Sequence, residues 1–389
     1  MPTGRILFSQ LSDFLSWHEF KKCVKRYGGN YKVHSFTCRK QFLAMAFAQL
    51  TGCESLREVE TSLGAVDQKL YHVGLGGSVS RSTLADANKN RDYRIYADCA
   101  HLLIPRARRL YAEESFGLDL EQTAYALDSS TMDLCLSLFP WAQFRSTKAA
   151  VKMHTLMDLR GSIPCFIRIT DGKTHDIKAL DEIPIEPGAY YIMDRAYIDF
   201  ARLRTLHESG AFFITRAKKN LSYTVVQRRD VEKSSGLRCD QTIRLTGPVS
   251  SQKYPGFLRR IRYRDADTGT TFVFLTNRFV LAALLITRLY KCRWRIELFF
   301  KWIKQNLRIK SFLGTSSNAV KTQIWIAVTV YVLVAIVKKE LGIQRSLREI
   351  LTILRMCLFE QVPLKQALTT NDDGDSEDRS CKPLPLFDL

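Results

Sequence analysis

The sequence predicts an α/β fold: a sheet with helices packed on it, preceded by an all-helical segment. Three observations predict it. Apolar residues recur at helical spacing up to about residue 120. From there to about residue 216, short apolar strands alternate with short helices. Beyond residue 279, two longer helices carry broad apolar faces. The chain of 389 residues is long enough for two or three domains. It divides into a helical N-terminal region (1–120), an α/β region (121–345) and a helical C-terminal extension with an acidic tail (346–389).

In the first region, Phe36 to Leu50 places Phe42, Leu43, Ala46, Phe47 and Leu50 on one helical face, and Gly52 ends it. Glu54 to Leu63 predicts a second helix. Ser80 and Ser82 are good caps for a third, reaching Asn90. Tyr93 to Glu114 predicts a longer helix with Leu102, Leu103 and Leu110 inside and Arg106, Arg108 and Arg109 outside. Short helices with basic flanks suit a DNA-binding module, and equally a plain bundle with a solvated basic face.

The α/β region predicts strands at Thr123 to Leu127, Val151 to Met157, Ile163 to Thr170, Ala189 to Met193 and Phe212 to Thr215. Asp158-Leu159-Arg160-Gly161 reads as a hairpin turn, and Ala196 to Ser209 as a helix. The expected sheet is antiparallel at its start and parallel at its end. Residues 216–278 read as a basic β-rich insertion rather than a continuation of that sheet, because Arg216 to Arg264 holds 13 Lys or Arg and 3 acids. Val280 to Leu307 then predicts one long helix, and Ala319 to Leu341 a very apolar one. The most apolar stretch, Ile324 to Val337, interrupted only by Thr329, is short for a membrane span and reads as a buried core helix. Residues 371–378, with five acids and no base, read as a disordered tail.

Charge narrows the function. A net charge of +19 calls for a polyanionic partner, nucleic acid first and an anionic membrane surface second. The composition, with 46% hydrophobic and 25% charged residues, excludes a fibre, a rod or a mostly disordered chain. The ten cysteines contain no Cys-x-x-Cys pair and read as reduced thiols of a cytoplasmic protein. His18, Cys23, His34 and Cys38 fit no common zinc spacing.

Two strands run into a carboxylate: Ala126-Leu127-Asp128 and Ile192-Met193-Asp194. In an open α/β sheet, the carboxyl ends of strands are where function sits. Two converging carboxylates repel unless a cation lies between them, which is the demand of Mg²⁺ or Mn²⁺ chemistry on phosphates. Either aspartate alone also suits a turn or a helix cap. His175, with Asp171 and Asp176 at a strand exit, suits a turn-stabilising role better than a catalytic one.

The long helix adds a third acid. Tyr290, Arg293, Glu297 and Lys304 lie at offsets of 0, 3, 7 and 14, which at about 100° per residue fall on one stripe. Leu285, Leu289, Ile296, Phe300, Ile303 and Leu307 form the adjacent apolar face. Glu297 is the only acid between Leu281 and Lys310, against eight Lys or Arg. An acid so placed serves as an ion-pair partner or as a functional group at the edge of the core.

Tyr290-x-x-Arg293-x-x-x-Glu297-x-x-x-x-x-x-Lys304 resembles the Tyr-Arg-Glu-Lys signature of bacterial insertion-sequence transposases of the IS-four family. Asp128 and Asp194 stand where that family has its first two catalytic acids, and Asp194-Arg195-Ala196-Tyr197 resembles its second motif. The resemblance covers about residues 121–340. It implies a ribonuclease-H-like core with an Asp-Asp-Glu triad, Asp128, Asp194 and Glu297, holding two Mg²⁺ (or Mn²⁺) ions. It also implies double-stranded DNA as partner (terminal inverted repeats and target DNA), contacted by Tyr290, Arg293, Lys304 and Arg195. Further implications are cut-and-paste transposition through hairpin ends, a homodimer in the synaptic complex, and a bacterial cytoplasmic location at the nucleoid, with no membrane partner. Arg228, Arg229, Arg259 and Arg260 of the insertion are expected to add phosphate contacts. Two alternatives fit the same residues: a structure-specific nuclease on this core, and a non-catalytic DNA-binding regulator.

Overall fold

The computed structural model describes residues 4–307, 309 and 311–369. The acidic segment 371–378 lies outside the described residues. Seven helices come first: α1 (Leu7–Ser12), α2 (Trp17–Arg26), α3 (Cys38–Thr51), α4 (Leu56–Ala65), α5 (Asp67–Leu70), α6 (Arg81–Asn90) and α7 (Arg94–Leu110). Their ends follow the capping chemistry. Ser16, Thr37, Ser55 and Ser80 each accept a backbone N–H of the first turn, and Gly52 closes α3 in the left-handed conformation. Helix α3 is buried almost all round. Its buried Gln41 is satisfied by Asn88, Arg91 and Tyr96. In α7 the expected face is rotated: Leu102 is 43% exposed, while Arg108 turns inward to Asp158 and the Tyr125 hydroxyl. The carboxylate and phenol at the foot of the sheet draw the guanidinium in.

The sheet begins with β1 (Ala124–Leu134), β2 (Gln143–Arg145), β3 (Lys148–Asp158) and β4 (Ile163–Asp171). It continues with β5 (Tyr190–Met193), helix α8 (Phe200–Glu208) and β6 (Phe212–Arg216). The order β4-β3-β1-β5-β6, with the first three antiparallel and β5 and β6 parallel to β1, is the ribonuclease-H-like arrangement. The turn between β3 and β4 forms as expected, with Gly161 at φ 68° and its Cα against the Tyr111 ring, where no Cβ fits.

Three expectations fail here. Strand β1 does not stop at Asp128 but runs to Leu134, because β3 stays paired with it over that whole length; only the parallel neighbour β5 ends, at Leu127↔Met193. The helix expected from Ala196 starts at Phe200, because Asp194 caps a 3₁₀ turn over Arg195–Tyr197 and Asp199 caps α8 separately. Third, residues 216–278 are continuous with the sheet. Strands β7 (Tyr223–Arg229), β8 (Leu237–Leu245), β9 (Phe257–Arg264) and β10 (Thr271–Thr276), with α9 (Pro248–Lys253), extend it in the order β6-β10-β9-β8-β7. An unpaired β6 edge would leave backbone groups unsatisfied, and β10 closes it antiparallel.

Helices α10 (Ala283–Lys291), α11 (Trp294–Asn306), α12 (Ser317–Glu340), α13 (Leu347–Cys357) and α14 (Leu364–Leu368) complete the chain. The single helix expected over 280–307 is two, broken at Cys292 and Arg293, where N–H groups reach back three residues (Cys292 to Leu289, Arg293 to Tyr290, Arg295 to Cys292, Ile296 to Arg293). Helix α12 is 24 residues long, and by length and composition it could cross a membrane. Its most apolar stretch is instead 94% buried inside the protein, against α7, α3 and α6. The Tyr111 hydroxyl donates to Ala335 O, and Asn318 donates to Asn88 O and Arg91 O. One apolar core therefore runs from the N-terminal helices through α12 to the front of the sheet. A second core lies behind the sheet, under α8.

Candidate active site

Strand alternation puts the first two acids on one face. Ala124 and Ala126 of β1 and Tyr190 and Ile192 of β5 belong to the front core, while Tyr125, Leu127, Tyr191 and Met193 belong to the rear one. Asp128 and Asp194 each follow the last paired residues, Leu127↔Met193, and so stand side by side at the front. The parallel ladder ends there, so both acids stand where the sheet opens.

Asp128 is 20% exposed at its side chain. One carboxylate oxygen accepts the Ser129 N–H at 2.8 Å, and the other accepts Arg293 Nη1 at 2.7 Å. Burial pushes its pKa up to about 6; Arg293 and the Ser129 N–H pull it down, and Glu297 and Asp194 push it further up. Asp194 accepts the Ala196 N–H at 3.1 Å, and Thr215 Oγ1 holds its carbonyl at 3.2 Å. Glu297, in the first turn of α11, is 55% exposed and accepts Arg293 Nη2.

Arg293 thus bridges a strand acid and a helix acid. Burial works against its charge, but Asp128, Tyr290 and Glu297 hold its pKa above the usual value. The break at 292–293 sets this geometry, because it starts α11 at the arginine. Lys304, in the last turn of α11, donates to Thr131 O of β1 at 2.8 Å. The face of α11 carrying Arg293, Glu297 and Lys304 therefore lies along β1. Tyr290 parts from it. It sits on α10, buried, with its ring 4.9 Å from Phe274 and its pKa pushed up to about 12 by burial. Arg195 is exposed. His175 caps the 3₁₀ turn that begins at Asp176, accepting the Ile177 N–H.

Among the described residues, no three His, Cys, Asp or Glu side chains are placed as a ready metal site. The donor set nevertheless suits a hard cation: carboxylate oxygens, two of which already share one cationic group.

Sequence reasoning missed the cleft beside the acids. It has a volume of about 170 Å³ and is lined by Arg216, Phe272, Phe274, Tyr290, Arg293 and Glu297, among others. The Phe272 and Phe274 rings stack at 9°, Arg216 lies 5.1 Å over Phe272, and the Tyr290 hydroxyl and Arg293 Nε are buried without a partner. Phe272, Phe274 and Tyr290 are buried against one another, so what the cleft offers a polyanion is its cations, Arg216 and Lys291, for phosphate contacts. The alternation of Phe272 and Phe274 was visible, but their neighbours across the sheet were not. Among the four arginines expected to bind phosphate, Arg259 is buried on Asp240 and Arg229 also pairs with Asp240. Arg260 is half-buried on Gln241, Cys239 and the Tyr223 ring, and Arg228 is exposed. Asp240 is a buried carboxylate that needs a counter-ion, which is why two of the arginines point inward.

Two acids at the open end of a ribonuclease-H-like sheet and a third on the covering helix define the class of DDE enzymes. Residues 119–333 match the family described as the transposase DDE domain, and residues 3–76 match a domain of unknown function (DUF4372). A putative transposase, y4zB, of Sinorhizobium fredii is 34% identical over 288 residues, covering 73% of this chain and 79% of that protein. A probable transposase for the insertion sequence element IS5377 of Geobacillus stearothermophilus is 29% identical, covering 65% and 66%. A putative transposase for the element IS4SA of Synechocystis is 25% identical, covering 83% and 90%. A cryo-EM structure of the piggyBac transposase synaptic complex with hairpin DNA aligns with a TM-score of 0.49 and 10% identity, over 96% of this chain and 87% of that one. The chain belongs to the transposase DDE domain family. It is a bacterial insertion-sequence transposase, an enzyme that cleaves DNA and transfers strands, and the IS-four family is consistent with the DDE-domain match and the three relatives.

Proposed function

We propose that the protein recognises the terminal inverted repeats of its own element and moves that element by cut-and-paste transposition, with Asp128, Asp194 and Glu297 as the reacting site. One observation carries this reading: the register Leu127↔Met193 sets Asp128 beside Asp194, and Arg293 ties Asp128 to Glu297 across the front of the sheet. The three carboxylates would hold divalent cations, Mg²⁺ or Mn²⁺, two in the full arrangement. Such ions activate an attacking water or 3′-hydroxyl and stabilise a leaving oxygen. The chain's own groups do the rest. The Ser129 N–H orients Asp128, and the Asp194 carboxylate is held by the turn it caps. Arg293 keeps the acids together and offers its unpartnered Nε to a phosphate. Lys304 and Arg195 flank the acids along the path of a duplex, and the cleft beside Tyr290 offers Arg216 and Lys291 to a phosphate next to the reacting one.

In this reading residues 1–120 recognise the ends, 121–345 cut and join, and 346–389 extend the helical core. Two ends must meet, so the active form is a homodimer, working on DNA in the bacterial cytoplasm. A joining assay tests the reading. Purified protein is given Mg²⁺, a duplex ending in the element's own terminal repeat, and a supercoiled target plasmid. Plasmid carrying the duplex covalently attached is expected. Cleavage with no joined product under any divalent cation would reduce the enzyme to a nuclease.

A further inference from the structure

Directly behind Asp128, on the rear face of the sheet, lies a charged cluster that the cutting and joining of DNA does not account for. Ser129, His154 and Lys152 share that face, with Ser129 paired to His154 across β1 and β3. Their common partner is Asp176, in the turn after β4. Its Oδ1 accepts Ser129 Oγ at 2.9 Å and Lys152 Nζ at 3.3 Å, with His154 Nδ1 at 3.7 Å. The loop that carries Asp176 is itself fixed. Lys152 donates to Thr174 O, His154 Nε2 contacts Thr170 Oγ1, and Asp171 accepts both the N–H and the hydroxyl of Thr174. The Tyr197 hydroxyl is buried beside the same groups, Ser129 and Asp176 among them.

Ser129 links this cluster to the front. Its side chain goes back to Asp176, while its N–H donates to the Asp128 carboxylate at 2.8 Å. The link falls where β1 is least supported, because β5 pairs with it only as far as Leu127 and beyond that point β1 keeps β3 alone. A strand with one free edge can shift, and a shift at residue 129 moves the N–H that orients the acid. We propose that Asp176 is a positioning residue for Asp128, acting through Ser129: it fixes the Ser129 side chain so that the Ser129 N–H holds the Asp128 carboxylate in the orientation that takes a divalent cation. This rests on Asp128 being a ligand for that cation.

Groups that orient a metal ligand from behind change metal affinity or activity by about 10–100-fold when removed. The test uses the full-length chain bound to a duplex of its own terminal repeat. Mn²⁺ is titrated in, free Mn²⁺ is read by electron paramagnetic resonance, and DNA affinity and Tm are recorded alongside. Ser129→Ala leaves the Asp176–Lys152 pair intact, so its effect cannot come from a stranded charge, and it carries the test even if Asp176→Asn folds poorly. Both variants are expected to weaken Mn²⁺ binding by about 10–100-fold with DNA affinity unchanged. The double variant should be no worse than the weaker single, because the two residues act as one chain. Wild-type Mn²⁺ binding by Ser129→Ala, or effects that multiply in the double variant, would overturn the proposal. Asp128→Ala is the control. If it binds Mn²⁺ normally, the reading of the front site fails; if it loses Mn²⁺ while Ser129→Ala does not, only the positioning role fails.

Discussion

Two arginines in this protein each hold carboxylates, and they do so in opposite ways. Arg259, in the sheet extension, is 4% exposed at its side chain. It grips Asp240 with two parallel bonds of 2.9 and 2.6 Å and gives the rest of its guanidinium to the carbonyls of Arg278, Phe279 and Leu281. Arg293, at the open end of β1, is 17% exposed. It gives one bond to each of two acids on different elements and leaves Nε without a partner. A fully satisfied buried pair is a structural tie, since neither partner has capacity left for a ligand. A bridge with a free donor and a half-exposed acid is still open to exchange. Charge counting along the sequence treats both arginines alike; only their surroundings separate them.

The comparison can be broken by substitution. The largest effect is expected at the acids that Arg293 serves. Asp128→Ala, Asp194→Ala and Glu297→Ala should each abolish Mg²⁺-dependent cleavage of end DNA while retaining DNA binding, as measured by gel shift and by cleavage at saturating protein. Normal cleavage by any one of them removes that residue from the site.

Next come the arginines themselves. Removing one partner of a buried pair costs about 3–5 kcal/mol, so Arg259→Ala should lower the chemical-denaturation midpoint sharply and leave little folded protein. Arg293→Ala should keep a near-native midpoint and lose cleavage even when DNA is saturating. If the two variants exchanged these phenotypes, the distinction between structural tie and open bridge would be lost.

A smaller effect sharpens the contrast between the two faces at Asp128. His154, fully buried behind it, has its pKa pushed down to about 4 by burial, with Asp176 opposing and Lys152 and Arg168 reinforcing the shift. In the unfolded chain a histidine titrates near 6.5. Between these values the unfolded state binds more protons at this group, so the contribution of His154 to stability should fall as pH drops from about 6.5 towards 4, against an opposite contribution from Asp128, whose raised pKa makes the folded state take up the proton first. Thermal melts over that range should show His154→Asn gaining stability relative to the wild type as pH falls; equal slopes would place the titration elsewhere.

The smallest effect belongs to an exposed charge. Arg228→Gln should leave cleavage at saturation unchanged and flatten the log–log salt dependence of DNA binding by about 0.9 if it touches one phosphate. An unchanged slope would mean that this surface does not meet DNA.

The parts of the site legible in the sequence are those with a local signature. Asp128 and Asp194 showed because apolar strands run straight into them, and Glu297 because it is alone among cations. The five strands of the core order were legible from alternation and turns. The extension of the sheet was not, because pairing of β6 with β10 joins residues about 60 apart and leaves no local mark. The break at Cys292 and Arg293 was hidden for another reason. Both residues keep helical angles (φ −63°, ψ −15° and φ −56°, ψ −30°), so the apolar period runs on while the hydrogen bonds shorten. That break takes Tyr290 off the stripe and puts Arg293 between the acids. The rear cluster was half visible: Asp176 and His175 stood out at a strand exit, but their partners on β1 and β3 required the register.

The central claim is that the acids of β1, β5 and α11 form one cation site. Anomalous diffraction from Mn²⁺, in crystals of the full-length protein bound to its own end duplex, tests it most directly. The account predicts anomalous peaks within about 2–2.5 Å of carboxylate oxygens, with Asp128 shared between Asp194 on one side and Glu297 on the other, and with Arg293 turned from the acids toward a phosphate. Peaks bound elsewhere, or a Glu297 still held by Arg293 with the ion on Asp128 and Asp194 alone, would contradict it.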